Sequence, residues 1–474
     1  MRRLRLFLAS VGRRTINFPP VSPPMGLLCL AAYLRERFRL DVRIVDQYAD
    51  GSSVNDIVQA AAEFEADVVG FRALTSSARA LAEATRKARA ALPGALIVLG
   101  GPHVSASGAK AMEDTAADAA VAGEGELAFE QILGAYGNGT DLSGIPGVFR
   151  RDSDGGIVAN PGEIAPIEDL DSLPFPAYDL IDLRKYWRLR SMSQVPPRRY
   201  VSLLTSRGCP YQCMYCHRIF GKRFRAQSAE RIVAEVEHYV RVFGLSEIEF
   251  LDDIFNQDRQ RVLDFCDLVQ RRGLKLRIAF PNALRGDRLT QEVVDALVDA
   301  GTYYSACALE TGSPRVQQFI GKRLDIPRFL EGVEMLVQRG VLTHGFTMLG
   351  FPTEAEDEMR QTIDVACNSK LHTATFFTVT PYPNTELHAL VERTHPEKLV
   401  GLDYEDQDYT GIAVNLSAVP DEVLYASQRK AWRRFYLNPM RLVRLARDFP
   451  QPQYLPRYLP MLMLRLGKGL FARR

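Results

Sequence analysis

Three cysteines, Cys209, Cys213 and Cys216, stand in C-x-x-x-C-x-x-C spacing on one short stretch. Three thiolates leave a tetrahedral zinc one ligand short, a place His217 could fill. They can also hold three irons of a cubane cluster and leave the fourth iron open, and soft thiolates suit iron–sulfur clusters. A third possibility is three small core side chains with no metal at all. The neighbours favour the cluster. Leu203, Leu204 and Thr205 read as the end of a strand, and Gly208 and Pro210 force an irregular loop straight after it. Tyr215 sets an aromatic ring beside the third thiol, where a nucleoside could lie. An open iron is what a cluster needs if it is to bind and split a substrate rather than only carry an electron.

Such a loop must be held by a rigid frame. From Tyr200 the pattern alternates apolar runs with amphipathic stretches. Strands are expected at Val201–Thr205, Glu247–Leu251, Lys275–Phe280, Tyr303–Leu309, Thr343–Met348 and Thr373–Val379. Helices are expected between them, at Ala229–Phe243, Gln260–Arg271, Thr290–Ala300, Pro327–Arg339 and Glu354–Asn368. Polar groups fall where these strands end: Asp252 and Asp253, Asn282 and Arg285, Glu310 and Ser313, Gly350 and Pro352. Barrel enzymes place their chemistry at that rim.

The first part of the chain repeats the alternation. Strands at Arg2–Ser10, Asp41–Asp46, Asp67–Phe71 and Ala95–Leu99 are separated by helices at Gly26–Arg37, Val54–Phe64 and Ala78–Ala91. That order implies a parallel, doubly wound sheet, which binds ligands beyond the carboxyl ends of its strands. Those ends carry Asp46-Gln47-Tyr48-Ala49-Asp50-Gly51, Arg72-Ala73-Leu74-Thr75 and Gly100-Gly101-Pro102-His103, and Gly123-Glu124-Gly125-Glu126 precedes one more helix at Leu127–Leu133. Between the two alternating regions, Tyr136–Arg199 has no sustained periodicity, and Leu170–Pro176 reads as an extended segment pressed on its neighbours.

With these residues in place, the chain resembles the cobalamin-binding radical S-adenosylmethionine (SAM) enzymes. The cysteine loop with its aromatic residue before the last cysteine resembles their cluster motif. The first region resembles their cobalamin domain, whose pattern is D-x-H-x-x-G, then S-x-L, then G-G. Asp46, Gly51, Leu74, Gly100 and Gly101 match it, whereas Tyr48 replaces the cobalt-ligating histidine and Arg72 the serine. The resemblance implies an α/β chain: an N-terminal doubly wound, Rossmann-like parallel sheet, a partial (β/α)6 barrel of TIM type, and a short helical C-terminal region. The expected boundaries are 1–138 for the cobalamin domain, 139–199 for the linker, 200–419 for the barrel and 420–474 for the basic helical end.

The implied cofactors are a [4Fe–4S] cluster, SAM and cobalamin. The resemblance assigns Asp252 or Asp253 to the SAM amino group, Glu310 to its ribose or amino end, and Tyr215, Asn282, Arg285, Ser313 and Gly350 to the same rim. It assigns Tyr48, Leu74, Thr75, Gly100, Gly101, Gly123 and Glu124 to cobalamin, and has His103 bonding the nucleotide tail or loop rather than cobalt. The implied activity is reductive cleavage of SAM to a 5′-deoxyadenosyl radical and methylation of an unactivated carbon of a small molecule. The alternative is an oxidative cyclase or hydroxylase of the anaerobic magnesium-protoporphyrin ester cyclase type. An electron donor such as flavodoxin or ferredoxin is an implied partner.

Composition bounds the rest. A chain of 474 residues with 46% hydrophobic and 24% charged residues affords a large core, enough for about three domains. No secretory signal is expected, because Met1–Leu8 runs straight into a strand-like pattern with no cleavage site, and no transmembrane helix, because no apolar run is long enough. Seven scattered cysteines do not form a disulfide framework, so a reducing cytoplasm is expected. From Ala426 onward there are twelve Lys or Arg and one acid, so the tail carries +11 and the remainder −9. With no nucleic-acid motif beside it, the charge suggests a helix packed on the barrel or, for Tyr454–Phe471, contact with an anionic membrane surface. The spacing predicts that Cys209→Ala abolishes cluster assembly, whereas Ala at Cys29, Cys266, Cys307 or Cys367 leaves it intact. Iron and sulfide content after anaerobic reconstitution measures this; a full cluster with SAM cleavage in Cys209→Ala would rule the assignment out.

Overall fold

The computed structural model describes residues 3–13, 21–193, 195, 199–405 and 413–454, with positions 456, 460, 463 and 467 beyond them. The first sheet is built from β1 (Leu4–Val11), β2 (Leu40–Asp46), β3 (Val68–Ala73), β4 (Leu96–Gly100), β5 (Ala119–Val121), β6 (Val148–Arg151) and β7 (Ile157–Ala159), in the order β2-β1-β3-β4-β5-β6-β7. The first five strands are parallel and the last two antiparallel. Period-two alternation divides the sheet between two faces. Leu6 and Leu8 pack with helices Met25–Arg37 and Glu126–Asn138, while Phe7, Ala9 and Val11 pack with helices Val54–Glu63 and Ala78–Ala91. The sheet is therefore doubly wound as expected. Its last two strands come from the aperiodic stretch after Tyr136; at three and four residues they are too short to show a period.

The second sheet uses β8 (Tyr200–Leu203), β11 (Glu247–Phe250), β12 (Arg277–Leu284), β13 (Thr302–Glu310), β14 (Leu342–Leu349) and β15 (Thr373–Thr378). All six are parallel and adjacent in chain order, an open (β/α)6 half-barrel. A separate two-stranded ribbon pairs β9 (Ser206–Arg207) with β10 (Arg225–Ala226). β12 runs past Pro281, where the sequence suggested an end. A register break between Phe280 and Leu284, with Ala283 at φ 92°, bulges the strand and turns Asn282 toward the rim.

One apolar core crosses from the first sheet into the barrel, and the segment between them joins the two. The Ala177 N–H donates to the Leu28 carbonyl, and the Tyr178 hydroxyl donates to the Ser202 carbonyl at 2.6 Å. The Tyr178 ring meets Tyr239 edge-on at 5.1 Å.

Helix Asp421–Tyr436 closes the barrel's side, with Trp432 edge-on to Phe376 and the Tyr436 hydroxyl donating to the Ala374 carbonyl at 2.6 Å. A helix not foreseen, Pro439–Asp448, is capped by Asn438 with proline at its first position. It buries Arg441, whose guanidinium donates to the carbonyls of Leu371, Cys367 and Ser369. Part of the basic tail is thus structural. Most of Tyr454–Phe471 lies outside the described residues. No helix among those described is long and apolar enough to cross a membrane.

The loop after β14 rests on Glu354, which is fully buried. One carboxylate oxygen accepts from the N–H groups of Gly350 (2.7 Å) and Phe351 (3.1 Å), and the other has no partner. Burial pushes this carboxyl up to about 7, against the pull of the two N–H groups. Its folded pKa lies above the unfolded one. The stability it contributes is therefore full below about pH 4.5 and is lost as pH rises through about 7. Glu354→Gln keeps an acceptor and removes the titration. At pH 8 it is expected to exceed the parent's stability by roughly 3 kcal/mol, the product of the rise from 4.5 to about 7 and about 1.4 kcal/mol per pKa unit, with no such gain near pH 4. Urea unfolding across that range measures it; parallel pH profiles for the two proteins would refute the account.

Candidate active site between the two sheets

The cysteine loop leaves β9 and returns at β10, so the ribbon closes its neck. Gly208 opens the loop at φ 82°, and a Cβ there would lie 2.1 Å from the Arg223 carbonyl oxygen. Cys209, Cys213 and Cys216, each half-buried, line one cavity of about 250 Å³. Around it stand Tyr215, His217, Lys222, Asp253, Asn282, Arg285, Glu310, Lys322 and Phe346. Burial, then Asp253 and the other two thiols, pushes Cys216 up to about 12. A thiolate at Cys216 is therefore stable here only if a cation holds it. No three His, Cys, Asp or Glu side chains among the described residues are grouped to hold a single metal ion. The donor set fits a cluster that spans all three thiols.

The rim residues divide into those that reach the cavity and those that hold it. Asp252 and Asp253 part company. Asp252 is 2% exposed and does not line the cavity; one of its oxygens accepts from Thr205 N (3.1 Å), Thr205 Oγ1 (2.9 Å) and Ser206 Oγ. It fixes the start of the cysteine loop. Asp253, next along the chain, faces the cavity, with its carboxylate 3.6 Å from His217. Asn282 donates to the carbonyls of Leu251 and Asp252. Glu310 ends β13 at φ 62° and pairs with Lys322 at 3.1 Å, both largely buried. Lys322 lies in a turn between helices, and nothing in its local sequence marks it. Arg285 pairs with Asp287 and lies 3.7 Å from the centre of the Tyr211 ring. Ser313 and Gly350 do not line the cavity. Ser313 caps helix Pro314–Phe319 and donates to Glu358, and Gly350 donates its N–H to Glu354.

A second cavity, about 280 Å³, opens at the carboxyl ends of the first sheet. Gly26, Gly70, Gly100, Gly101, Gly123 and Gly125 line it, together with Arg72 and Glu124. Six glycines leave stretches of bare backbone along the slot, which suits a nucleotide tail lying against backbone. Of the other residues assigned to this cofactor, Tyr48, Leu74, Thr75 and His103 do not line the slot. The Tyr48 hydroxyl shares a hydrogen bond with Ser77, and Leu74 and Thr75 start a 3-10 turn. His103 is carried into the short helix Pro102–Ser107, with its Nδ1 3.4 Å from Ser107 Oγ. Arg72 stays at the slot, donating to Ser10 Oγ at 2.9 Å.

Glu124 has a use the sequence did not reveal. Arg207 and Arg225, register partners at the neck of the cysteine loop, both bind its carboxylate, and Arg207 also binds Glu126. Arg207 reaches each glutamate at 2.6 Å, and all four side chains are at most 8% exposed. Burial pushes the Glu124 carboxyl up, but the bonds from Arg225 and Arg207 hold it below the usual range. The two cavities meet beside this clamp: His217, Ile219, Phe220 and Asp253 line both.

Comparison with known proteins agrees with this geometry. Residues 14–133 match the B12 binding domain family and residues 203–366 the Radical SAM superfamily. The chain is 31% identical over 427 residues to Uncharacterized methyltransferase PH0819 of Pyrococcus horikoshii, covering 89% of each. It is 26% identical over 419 residues to the cytidylyl-2-hydroxyethylphosphonate methyltransferase of Streptomyces wedmorensis, covering 78% of each. The structure of the radical S-adenosylmethionine methyltransferase TsrM from Kitasatospora setae, with cobalamin and a [4Fe-4S] cluster bound, superimposes with a TM-score of 0.69 at 18% identity, over 83% of this chain and 78% of that one. The chain belongs to the cobalamin-binding radical SAM enzymes. Its cofactors are a [4Fe–4S] cluster, SAM and cobalamin.

Removing one member of a buried charge network leaves its partners uncompensated, at a cost of about 3–5 kcal/mol. Glu124→Ala, which leaves two arginines buried at the neck, is expected to lose about that much. It should also split the thermal transition, because the clamp joins the two sheets. Calorimetry of the full chain tests this; one unshifted transition would show that the clamp carries no coupling.

Proposed function

We propose that this enzyme methylates a carbon of a small molecule held where the two cavities meet. The observation that carries the reading is that His217 and Asp253 line both. A substrate beside them is within reach of both cofactor sites. When bound, these cofactors supply reductive SAM cleavage and a transferable methyl group. The chain's own groups bind, orient and exclude water. Asp253 and the Glu310–Lys322 pair present charge to the amino-acid end of SAM. Tyr215 and Phe346 offer apolar faces to its nucleoside. Ile219 and Phe220, reaching from the cysteine loop into the slot, keep water from the space between the cofactors. Asn282 is turned to the cluster-side cavity by the bulge in β12. The reaction needs a one-electron donor, for which flavodoxin or ferredoxin is the proposed partner.

The test is anaerobic incubation of reconstituted enzyme with cobalamin, a low-potential reductant, methyl-labelled SAM and candidate small molecules. Methylation places the label in a product. Formation of 5′-deoxyadenosine with an unlabelled, oxidised product would replace this reading with the cyclase or hydroxylase alternative.

A further inference from the structure

The structure uses up much of the C-terminal positive charge but leaves one part of it open. Arg434 pairs with Asp364, Arg447 with Asp448, and Arg441 is buried against carbonyls. Lys430 and Arg433 are exposed and make no ion pair among the described residues. Large apolar side chains are exposed in the same place. Seven are exposed among the described residues, and four of these lie in the last part of the chain: Leu437 (54%), Met440 (72%), Val443 (64%) and Met463 (63%).

Three of the four lie at or just past the elbow between helices Asp421–Tyr436 and Pro439–Asp448. Lys430 and Arg433 stand two turns and one turn before Leu437. Met440, Val443 and Arg447 share the face of the second helix opposite buried Arg441 and Leu445. After Glu422 the only acid in the chain is Asp448, which is turned inward and bonds His372.

Exposed apolar groups gathered near unpaired cations mark an interaction surface, and the charge narrows the occupant. A second copy docked through the same face would bring Lys430 and Arg433 against their own equivalents. A nucleic acid would use the cations and leave Leu437, Met440 and Val443 in water. An anionic bilayer answers both, because its headgroups take the cations and its interface takes the apolar side chains.

We propose that this elbow docks on an anionic lipid surface. The inference is independent of the reaction proposed above. Its geometry has a consequence for substrate access. Leu445 and Phe449 pack on Ala279, Tyr303, Tyr304 and Leu342, which lie near the amino ends of β12, β13 and β14. Both cavities open at the carboxyl ends of the strands. The docked protein therefore turns its active site away from the membrane, and substrate enters from water.

The test is flotation of the full-length protein with phosphatidylglycerol–phosphatidylcholine vesicles and with phosphatidylcholine alone. The protein is expected to float with the anionic vesicles at low salt, to be released at high salt, and not to float with the neutral ones. Lys430→Glu with Arg433→Glu, and separately Met440→Ser with Val443→Ser, should each lower the bound fraction about tenfold with unchanged melting. The proposal is overturned by absence of flotation, or by flotation that neither pair of substitutions reduces. It is also overturned if DNA binding is lost with the charge pair alone, which would make the patch a nucleic-acid site. Self-association abolished by the apolar pair would make it a subunit contact.

Discussion

The arrangement of the active site depends on one buried charge network. Arg207 and Arg225 face each other across the neck of the cysteine loop and close on Glu124 from the other sheet. Four charges shielded from water are stable only when each is bonded, and here every one is. The geometry is demanding. Arg207 must bridge Glu124 and Glu126, and Arg225 must bridge Glu124 and the Ile167 carbonyl. A small rotation of one sheet against the other would break several of these bonds together. The clamp therefore fixes the orientation of the two cofactor cavities, which a surface of nonspecific apolar contacts would leave free to slide.

The apolar core does a different part of the work. It is continuous between the sheets and supplies the bulk of the association without direction. Tyr178 shows how the two combine: its ring packs on Tyr239 in the core, while its hydroxyl joins the backbone of β8. Since β8 leads straight into the cysteine loop, the position of the loop is set from below by Tyr178 and Asp252 and from the side by the clamp.

What the sequence showed follows from the range of its signals. Buried parallel strands read as apolar runs, so the strands of the half-barrel and the first four of the doubly wound sheet were legible. So was the cysteine loop, because cluster ligation imposes a local spacing. Short strands such as β5, β6 and β7 carry too few residues to show a period. The sequence says less where orientation decides which residue reaches a cavity. Asp252 and Asp253 follow the same strand, but only one faces the cavity. His103 follows Gly100-Gly101 in sequence, yet the helix that begins at Pro102 carries it away from the slot. Lys322 reaches Glu310 through tertiary packing, with no local signature. Glu124 lies in a glycine-rich turn and lines the slot, and its bond partners, two arginines about a hundred residues away, have no local signature.

The rim also carries strain, and its placement is informative. Glu310 sits at φ 62°, a conformation that costs a residue with a side chain roughly 1 kcal/mol or more. A glycine would adopt it freely but would bring no carboxylate. The ladder between β13 and β14 breaks between Ala308 and Glu310, so the strand does not carry Glu310 on in regular alternation. The bond from Lys322 holds the resulting geometry. A carboxylate held this way has little freedom to lose when a cationic group arrives, so less of the binding free energy goes into ordering it. The same reasoning applies to Asn282, which is turned out by the bulge in β12 and fixed by two backbone carbonyls. In both strands the irregularity falls where the cavity begins. The half-barrel is regular up to its rim and departs from regularity where a side chain points at the cavity rather than at the core.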